Sequence, residues 1–162
     1  MTNTLIRPAQ IEDTPRLNAA LRALSEHMGD PHRITDETLE QALFSSPPSA
    51  RAIIAEQDQE VVGAVLYSPF VSTTKGGIGL YVSDLWVSEK MRRQGLGPKL
   101  MDAAVNSETQ EIKMIRLAVY DSNPAALKTY LRLGFKAETE AKTMILLRED
   151  FSNIRGKNES RI

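Results

Sequence analysis

Two segments of the chain bring together residue types that could do chemistry. The first is Arg92-x-x-Gly95-x-Gly97, which stands between the apolar stretch Ile78 to Ser88 and a helical pattern of Leu100, Met101, Ala104 and Val105. Glycines there let the backbone turn sharply and approach a ligand closely, and the unpaired N–H groups of a first helical turn favour an anion such as pyrophosphate. Arg92, Arg93 and Lys99 offer charge-assisted contacts to phosphate oxygens. Two common phosphate loops do not fit, because the segment lacks Gly-Lys-Ser/Thr and lacks the three glycines and later acidic residue of a dinucleotide site. The second segment runs from Asn123 to Phe135, where Asn123 is placed to cap a helix that carries Ala126 and Tyr130 on one face, a turn apart. Each segment alone also has a plain structural reading. The first is then a strand-to-helix turn with solvated arginines, and the second a helix packed through Ala126 and Tyr130, stopped at Gly134 and anchored by Phe135.

The elements that must position these residues are legible from patterning. Leu5-Ile6-Arg7-Pro8 reads as a first strand stopped by proline. Asp13 before Thr14-Pro15 reads as an N-cap, and Leu17, Ala20, Leu21, Leu24 and Met28 recur at helical spacing over about 13–28, until Gly29-Asp30-Pro31 breaks the pattern. Thr35-Asp36-Glu37-Thr38 predicts the cap and acidic first turn of a second helix through Leu39, Ala42, Leu43 and Phe44, ended by Pro47-Pro48. Ala52 to Ala55 and Val61 to Tyr67, separated by polar residues, predict an antiparallel hairpin. Then follow strand Ile78 to Ser88, a helix after the glycine loop, strand Ile112 to Val119, helix Pro124 to Leu133, and a last strand around Thr143 to Leu147. The predicted order is β-α-α-β-β-β-α-β-α-β, an α/β class with a single domain over residues 1–151 and a polar, frayed tail over 152–162.

Composition narrows the functional classes. A chain of 162 residues suits one domain, and 41% hydrophobic with 25% charged residues suits a folded globule. Twenty Lys+Arg against 21 Asp+Glu leave a net charge of −1, so no whole-protein field draws the chain to nucleic acid or an anionic membrane, and neither partner is expected. The absence of cysteine excludes disulfides, cysteine-ligated metals and thiol catalysis by the protein. His32, beside Pro31, has no partner at metal-ligand spacing, and no metal is expected. The N-terminus reads as having no secretory leader, and no stretch reaches the roughly 18 apolar residues of a membrane span, so a cytoplasmic location is expected.

Taken together, the two segments resemble the GNAT acyltransferase superfamily, and the likeness covers about residues 3–148 with the elements in the family's order. The resemblance implies the GNAT acyl-CoA N-acyltransferase fold, a mixed, mostly antiparallel sheet with helices on both faces, and acetyl-CoA as cosubstrate. Within the superfamily, Ser72-Thr73, Gly76-Gly77 and Ile78 to Val87, together with Ile6-Arg7-Pro8-Ala9, Asp13 and the Ile34 to Phe44 helix, are similar to the diamine (spermidine/spermine) N-acetyltransferase group. Two departures stand out: Ser83 replaces an acidic residue, and His27-Met28 replaces Tyr-Glu. The lost carboxylates would have paired with substrate ammonium groups.

The resemblance also implies roles. The main chains of Leu85, Trp86 and Val87 hold the pantetheine arm in a splay between the fourth and fifth strands, and one N–H there stabilises the oxyanion. Arg92, Arg93, Gln94, Gly95, Leu96, Gly97 and Pro98 take the pyrophosphate, and Asn123, Ala126 and Tyr130 complete the cofactor side. Tyr130 is the implied general acid: passing a proton from a phenol near pKa 10 to a thiolate whose acid is near 8.5 is uphill by about 2 kcal/mol. For the acceptor side, Glu26, His27, Ser83 and Asp84 are the candidates, with Asp84, Glu26 and His27 as alternative bases beside a water chain. The implied activity is acetyl transfer to a primary amine of a small molecule: a diamine, a polyamine or a lysine-like amino acid. A protein or peptide acceptor and a non-catalytic coenzyme A sensor are the alternatives, and a homodimer is the family's usual state.

Overall fold

The computed structural model describes residues 3–155, and the chain divides into two compact units, residues 1–118 and 119–162. The first unit holds one five-stranded sheet in the order β1 (Leu5–Pro8), β2 (Arg51–Gln57), β3 (Glu60–Ser72), β4 (Gly77–Val87) and β5 (Ile112–Leu117). The first four strands pair antiparallel, while β5 lies parallel to β4 after a crossover through α3 (Leu96–Asn106), as a parallel pair requires. The mixed sheet with helices on both faces is the architecture expected from the sequence.

Strand alternation splits the core in two. Ile53, Ala55, Val62, Val65, Leu80 and Val82 face Leu96, Leu100 and Ala104 of α3. On the other face, Ala52, Ile54 and Ala64 meet Leu17, Ala20 and Leu21 of α1 (Thr14–Met28) and Leu39 and Leu43 of α2 (Asp36–Phe44). Each fully buried leucine or isoleucine contributes about 1.5–3 kcal/mol. Gly63 admits α3 closely, since a Cβ there would stand only 3.0 Å from Leu100 and 3.1 Å from Leu96.

Local signals hold at most element ends. Thr35 Oγ1 accepts from Thr38 N at 3.1 Å and so caps α2, and the β2–β3 turn places Asp58 and Gln59 at positive φ, which suits a tight hairpin. Asp13 differs from its expected part. It sits where α1 begins, but a short 3-10 turn, Ile11–Asp13, runs into the helix, and the carboxylate bonds Arg7 (2.7 Å), Arg16 (2.6 Å) and Gln10 N (2.7 Å) instead of capping. Two guanidinium groups outcompete a helical N–H for a buried carboxylate.

The second unit carries α4 (Pro124–Arg132) and, of the expected tail from Ser152, a short helical turn Ser152–Arg155; residues 156–162 lie outside those described. The strand expected at Thr143 to Leu147 is not formed. These residues join no ladder among the described residues, and Met144 and Ile145 are 86% and 78% exposed. An apolar run has strand propensity but becomes a strand only against a neighbour. The expected order is therefore followed as far as α4, without the last strand. Among the described residues, no helix is long and apolar enough to cross a membrane.

Candidate active site

The site begins with an irregularity in β4. Pairing with β3 runs from Ser72↔Gly77 to Tyr67↔Val82, then resumes at Leu66↔Asp84, so Ser83 is an extra residue without an opposite number. This is a β-bulge, and Ser83 Oγ donates to Leu66 O across it at 3.1 Å. The added residue resets the alternation. Val82 lies on the α3 face, yet Leu85 and Val87 return to that same face, leaving Asp84 and Trp86 directed to the α1/α2 side, where Trp86 packs on that cluster.

The bulge coincides with the end of pairing to β5, which runs only from Ile78↔Ile112 to Val82↔Leu117. From Asp84 to Val87 the ladder continues on the β3 side alone, and the other edge of the strand is open. An open edge inside a sheet presents a row of main-chain donors and acceptors to any extended amide-bearing ligand. Ser88 N bonds Val62 O on the β3 side, so by alternation Trp86 also bonds toward β3, and the main-chain groups of Leu85 and Val87 are the ones turned to that edge.

β4 runs into a loop that turns back into α3. Arg93 (φ 63°) and Gly95 (φ 77°) both take left-handed backbone, and Gly95 is the N-cap of α3. Arg92 Nε donates to Val87 O at 3.2 Å and Gln94 Nε2 to Lys90 O at 3.0 Å, which fix the loop without covering the helix end. No acidic residue stands in the first turn of α3, while Arg92, Arg93 and Lys99 are exposed around it. Pro98 has no N–H, so Leu96 and Gly97 supply the free donors of that turn. Gly97 tests what the turn is shaped for. Its φ is not left-handed, and a Cβ added there would meet only Leu85 Cδ2, at an ordinary 3.7 Å. Neither backbone conformation nor internal packing requires this glycine. A methyl would instead occupy the space beside the free N–H groups, which fits the close approach of a diphosphate.

On the α1/α2 side of the sheet, burial pushes the Asp84 carboxyl above the ordinary carboxylate range; Ser83 and then His32 oppose the shift, and Asp30 adds to it. Two groups of the loop between α1 and α2 thus bear electrostatically on Asp84. Glu26 and His27 are exposed on the last turn of α1 and are not among the groups that shift Asp84. Asp30 and His32 were not legible as site residues, because Gly29-Asp30-Pro31 reads as a helix breaker and no spacing ties it to β4.

The second unit presents the other expected residues on α4. Asn123 Oδ1 accepts from Ala126 N at 3.2 Å, forming the predicted cap, with Pro124 in the first turn. Tyr130 is half-buried and meets Phe135 edge-on at 5.4 Å, and Gly134 (φ 100°) reverses the chain between them. Burial pushes the Tyr130 hydroxyl above the ordinary phenol value, so it keeps its proton throughout the neutral range.

Comparison with known proteins agrees with this arrangement. Residues 17–135 match the acetyltransferase (GNAT) family. The chain is 30% identical over 153 residues to thialysine N-epsilon-acetyltransferase of Sus scrofa, covering 88% of this chain and 89% of that protein. Among solved structures it is similar to a ribosomal-protein-alanine N-acetyltransferase from Brucella melitensis biovar Abortus 2308, at 19% identity and TM-score 0.72, over 89% of this chain and 100% of that one. It is also similar to aminoglycoside N-acetyltransferase AAC(6')-Iy in complex with CoA, at 18% identity and TM-score 0.70, over 91% and 97% of the two chains. With its open β4 edge, its glycine-shaped helix start and a family match over most of its length, the chain belongs to the GNAT acetyltransferase family.

Proposed function

We propose that this acetyltransferase moves the acetyl group of acetyl-CoA to a primary amine of a small, lysine-like or diamine molecule. The observation that carries the reading is the open edge of Asp84 to Val87 running directly into the Gly95–Gly97 turn: one continuous surface suited to an amide-bearing arm and a diphosphate. The lysine-like acceptor is supported by the curated relatives named thialysine N-epsilon-acetyltransferase. It is supported further by acidic Asp30 and Asp84 on the acceptor side, which suit a cationic amine.

In this reading the main chains of Leu85, Trp86 and Val87 hold the pantetheine arm, and one of their N–H groups faces the thioester oxygen, a donor of a kind worth about 3–4 kcal/mol to an oxyanion. Arg92 to Pro98 hold the diphosphate, with Asn123 and Ala126 on the cofactor side. The acyl donor supplies an activated thioester. Asp84 takes a proton from the incoming ammonium, a task for which a raised carboxyl is better suited than an ordinary one. The amine nitrogen bonds the acetyl carbon, the carbon–sulfur bond breaks, Tyr130 gives its proton to the departing thiolate, and the second proton shed by the new amide nitrogen restores the phenol. Glu26 and His27, exposed on α1, have no part in the proton path.

Residues 1–151 act as one catalytic domain, as a cytoplasmic homodimer, with neither nucleic acid nor membrane as partner. The test is thiol release from acetyl-CoA with a panel of thialysine, lysine, diamines, spermidine and lysine-bearing peptides. Turnover on thialysine or another small amine is expected. Turnover with peptides alone makes the chain a protein acetyltransferase, and coenzyme A binding without turnover on any acceptor makes it a sensor.

A further inference from the structure

The reading above leaves without a part a histidine held unusually firmly. His32 lies in the segment between α1 and α2, and both its ring nitrogens are engaged: Nε2 is 2.8 Å from Asn18 Oδ1, and Nδ1 is 2.9 Å from Ser25 Oγ. Asn18 is 2% exposed, and its amide nitrogen gives its two hydrogens to Asp36 Oδ1 at 2.7 Å and Ile34 O at 3.3 Å. The amide oxygen is therefore the atom that faces His32, since the reverse orientation would set it against a carboxylate. Asn18 Oδ1 can only accept, so Nε2 carries a hydrogen, while Nδ1 pairs with the Ser25 hydroxyl, which also donates to Leu21 O at 3.1 Å.

This network joins three elements. Asn18 and Ser25 belong to α1, His32 and Ile34 to the connecting segment, and Asp36 opens α2. The segment leaves α1 at Gly29, whose left-handed backbone (φ 76°) ends the helix, and Ile34 packs against the α1/α2 cluster before α2 begins. A buried amide that loses its ring partner is left with an unsatisfied acceptor, a costly condition that makes the arrangement close to all-or-none. Asp30 and His32, both on this segment, are also the groups outside β4 that bear electrostatically on Asp84.

We infer that His32 is a positioning residue: through Asn18 and Ser25 it latches the α1–α2 segment to α1, and so fixes Asp30 and its own ring opposite Asp84, where they set the affinity for a cationic amine. It does not exchange the reaction's proton, because both ring nitrogens are held by the protein. The inference rests on the small-amine reading above. It predicts an effect on acceptor binding that is separate from the chemical step and from binding of the acyl donor.

The test is steady-state kinetics on the full chain with thialysine and acetyl-CoA. His32→Phe keeps the ring's bulk and loses both hydrogen bonds. It is expected to raise KM for the amine at least tenfold, with kcat and KM for acetyl-CoA within twofold of wild type. His32→Gln, which can still donate to Asn18, restores most of the affinity, and Asn18→Leu reproduces the loss. In parallel, imidazole nitrogen NMR of the wild-type chain, which has two histidines, reads the ring directly. The expected result is a His32 ring carrying a hydrogen on Nε2, with signals that shift saturably as thialysine is added, while exposed His27 stays unmoved. An unchanged amine KM in His32→Phe, a loss confined to kcat, or a His32 ring with the other tautomer and no response to amine overturns the positioning role. A wild-type chain that turns over no amine overturns the small-amine reading itself, and with it the role assigned to His32.

Discussion

Replacing Gly97 with alanine separates what the protein needs from what its ligand needs. Gly97 is the second residue of α3, its φ is not left-handed, and the nearest atom to an added Cβ is Leu85 Cδ2 at 3.7 Å, an ordinary contact. The folded chain therefore accepts the methyl without strain. Alanine in a helix is favoured over glycine by about 0.5–1 kcal/mol, which for a chain of this size raises the melting temperature by roughly 1–4 °C. The same methyl stands beside the N–H groups of Leu96 and Gly97, where the diphosphate is proposed to rest. Pushing the phosphates off even one donor weakens binding of acetyl-CoA by tenfold or more, about 1.4 kcal/mol. Thermal melting and calorimetric titration with acetyl-CoA read the two effects on one preparation. A Gly97→Ala chain that melts at or above the wild-type temperature and binds at least tenfold more weakly is the expected result. A chain that is equally stable and binds as tightly as wild type refutes the argument, because the space kept open by glycine would then be unused.

Three further predictions concern charge and protons. Asp13 is held well below the usual carboxylate range, first by its hydrogen bond to Arg7 and further by Gln10 N and Arg16. Its contribution to stability is fully present above the unfolded value near 4 and is lost as pH falls toward the folded value; Asp13→Asn should cost about 3 kcal/mol at neutral pH and flatten the acid side of a melting-temperature profile. Asp84→Asn should lower kcat/KM for the amine by about 10²-fold or more and abolish an acid limb that in wild type lies above the ordinary aspartate value of about 3.9, as a pH–rate profile would show. Tyr130→Phe should lower turnover tenfold or more while acetyl-CoA affinity stays within a factor of about two; unchanged turnover would remove Tyr130 from the acid role.

Much of the fold was legible because its signals are local. Proline stops, Thr35 as a cap, the polar hairpin turn and the apolar alternation of β2 to β4 all depend on residues near in sequence, and they place most element ends to within a residue or two, although β3 runs on to Ser72, five residues past the expected Tyr67. The glycine loop and the Asn123 cap were legible for the same reason. What was not legible is what depends on partners. Thr143 to Leu147 has the composition of a strand, but pairing decides whether it becomes one. Asp13 looked like a cap because its neighbours Thr14 and Pro15 suit one, whereas Arg7 and Arg16 claim its oxygens. The Ser83 bulge leaves no mark in the sequence beyond a serine, yet it resets the alternation and sets Asp84 on the α1/α2 face of the sheet. Asp30 and His32 are joined to Asp84 only by the way α1 and α2 pack on the sheet.

The account stands or falls on the open edge of β4 and the adjoining helix start as one binding surface. Amide hydrogen exchange over residues 83–97, with and without saturating coenzyme A, measures this directly. Free N–H groups that gain acceptors should exchange at least tenfold more slowly, so coenzyme A is predicted to protect the amides of Leu85 and Val87 together with those of Leu96 and Gly97, while leaving the β2–β3 turn unchanged. Tight binding of coenzyme A with no added protection in either stretch would contradict it.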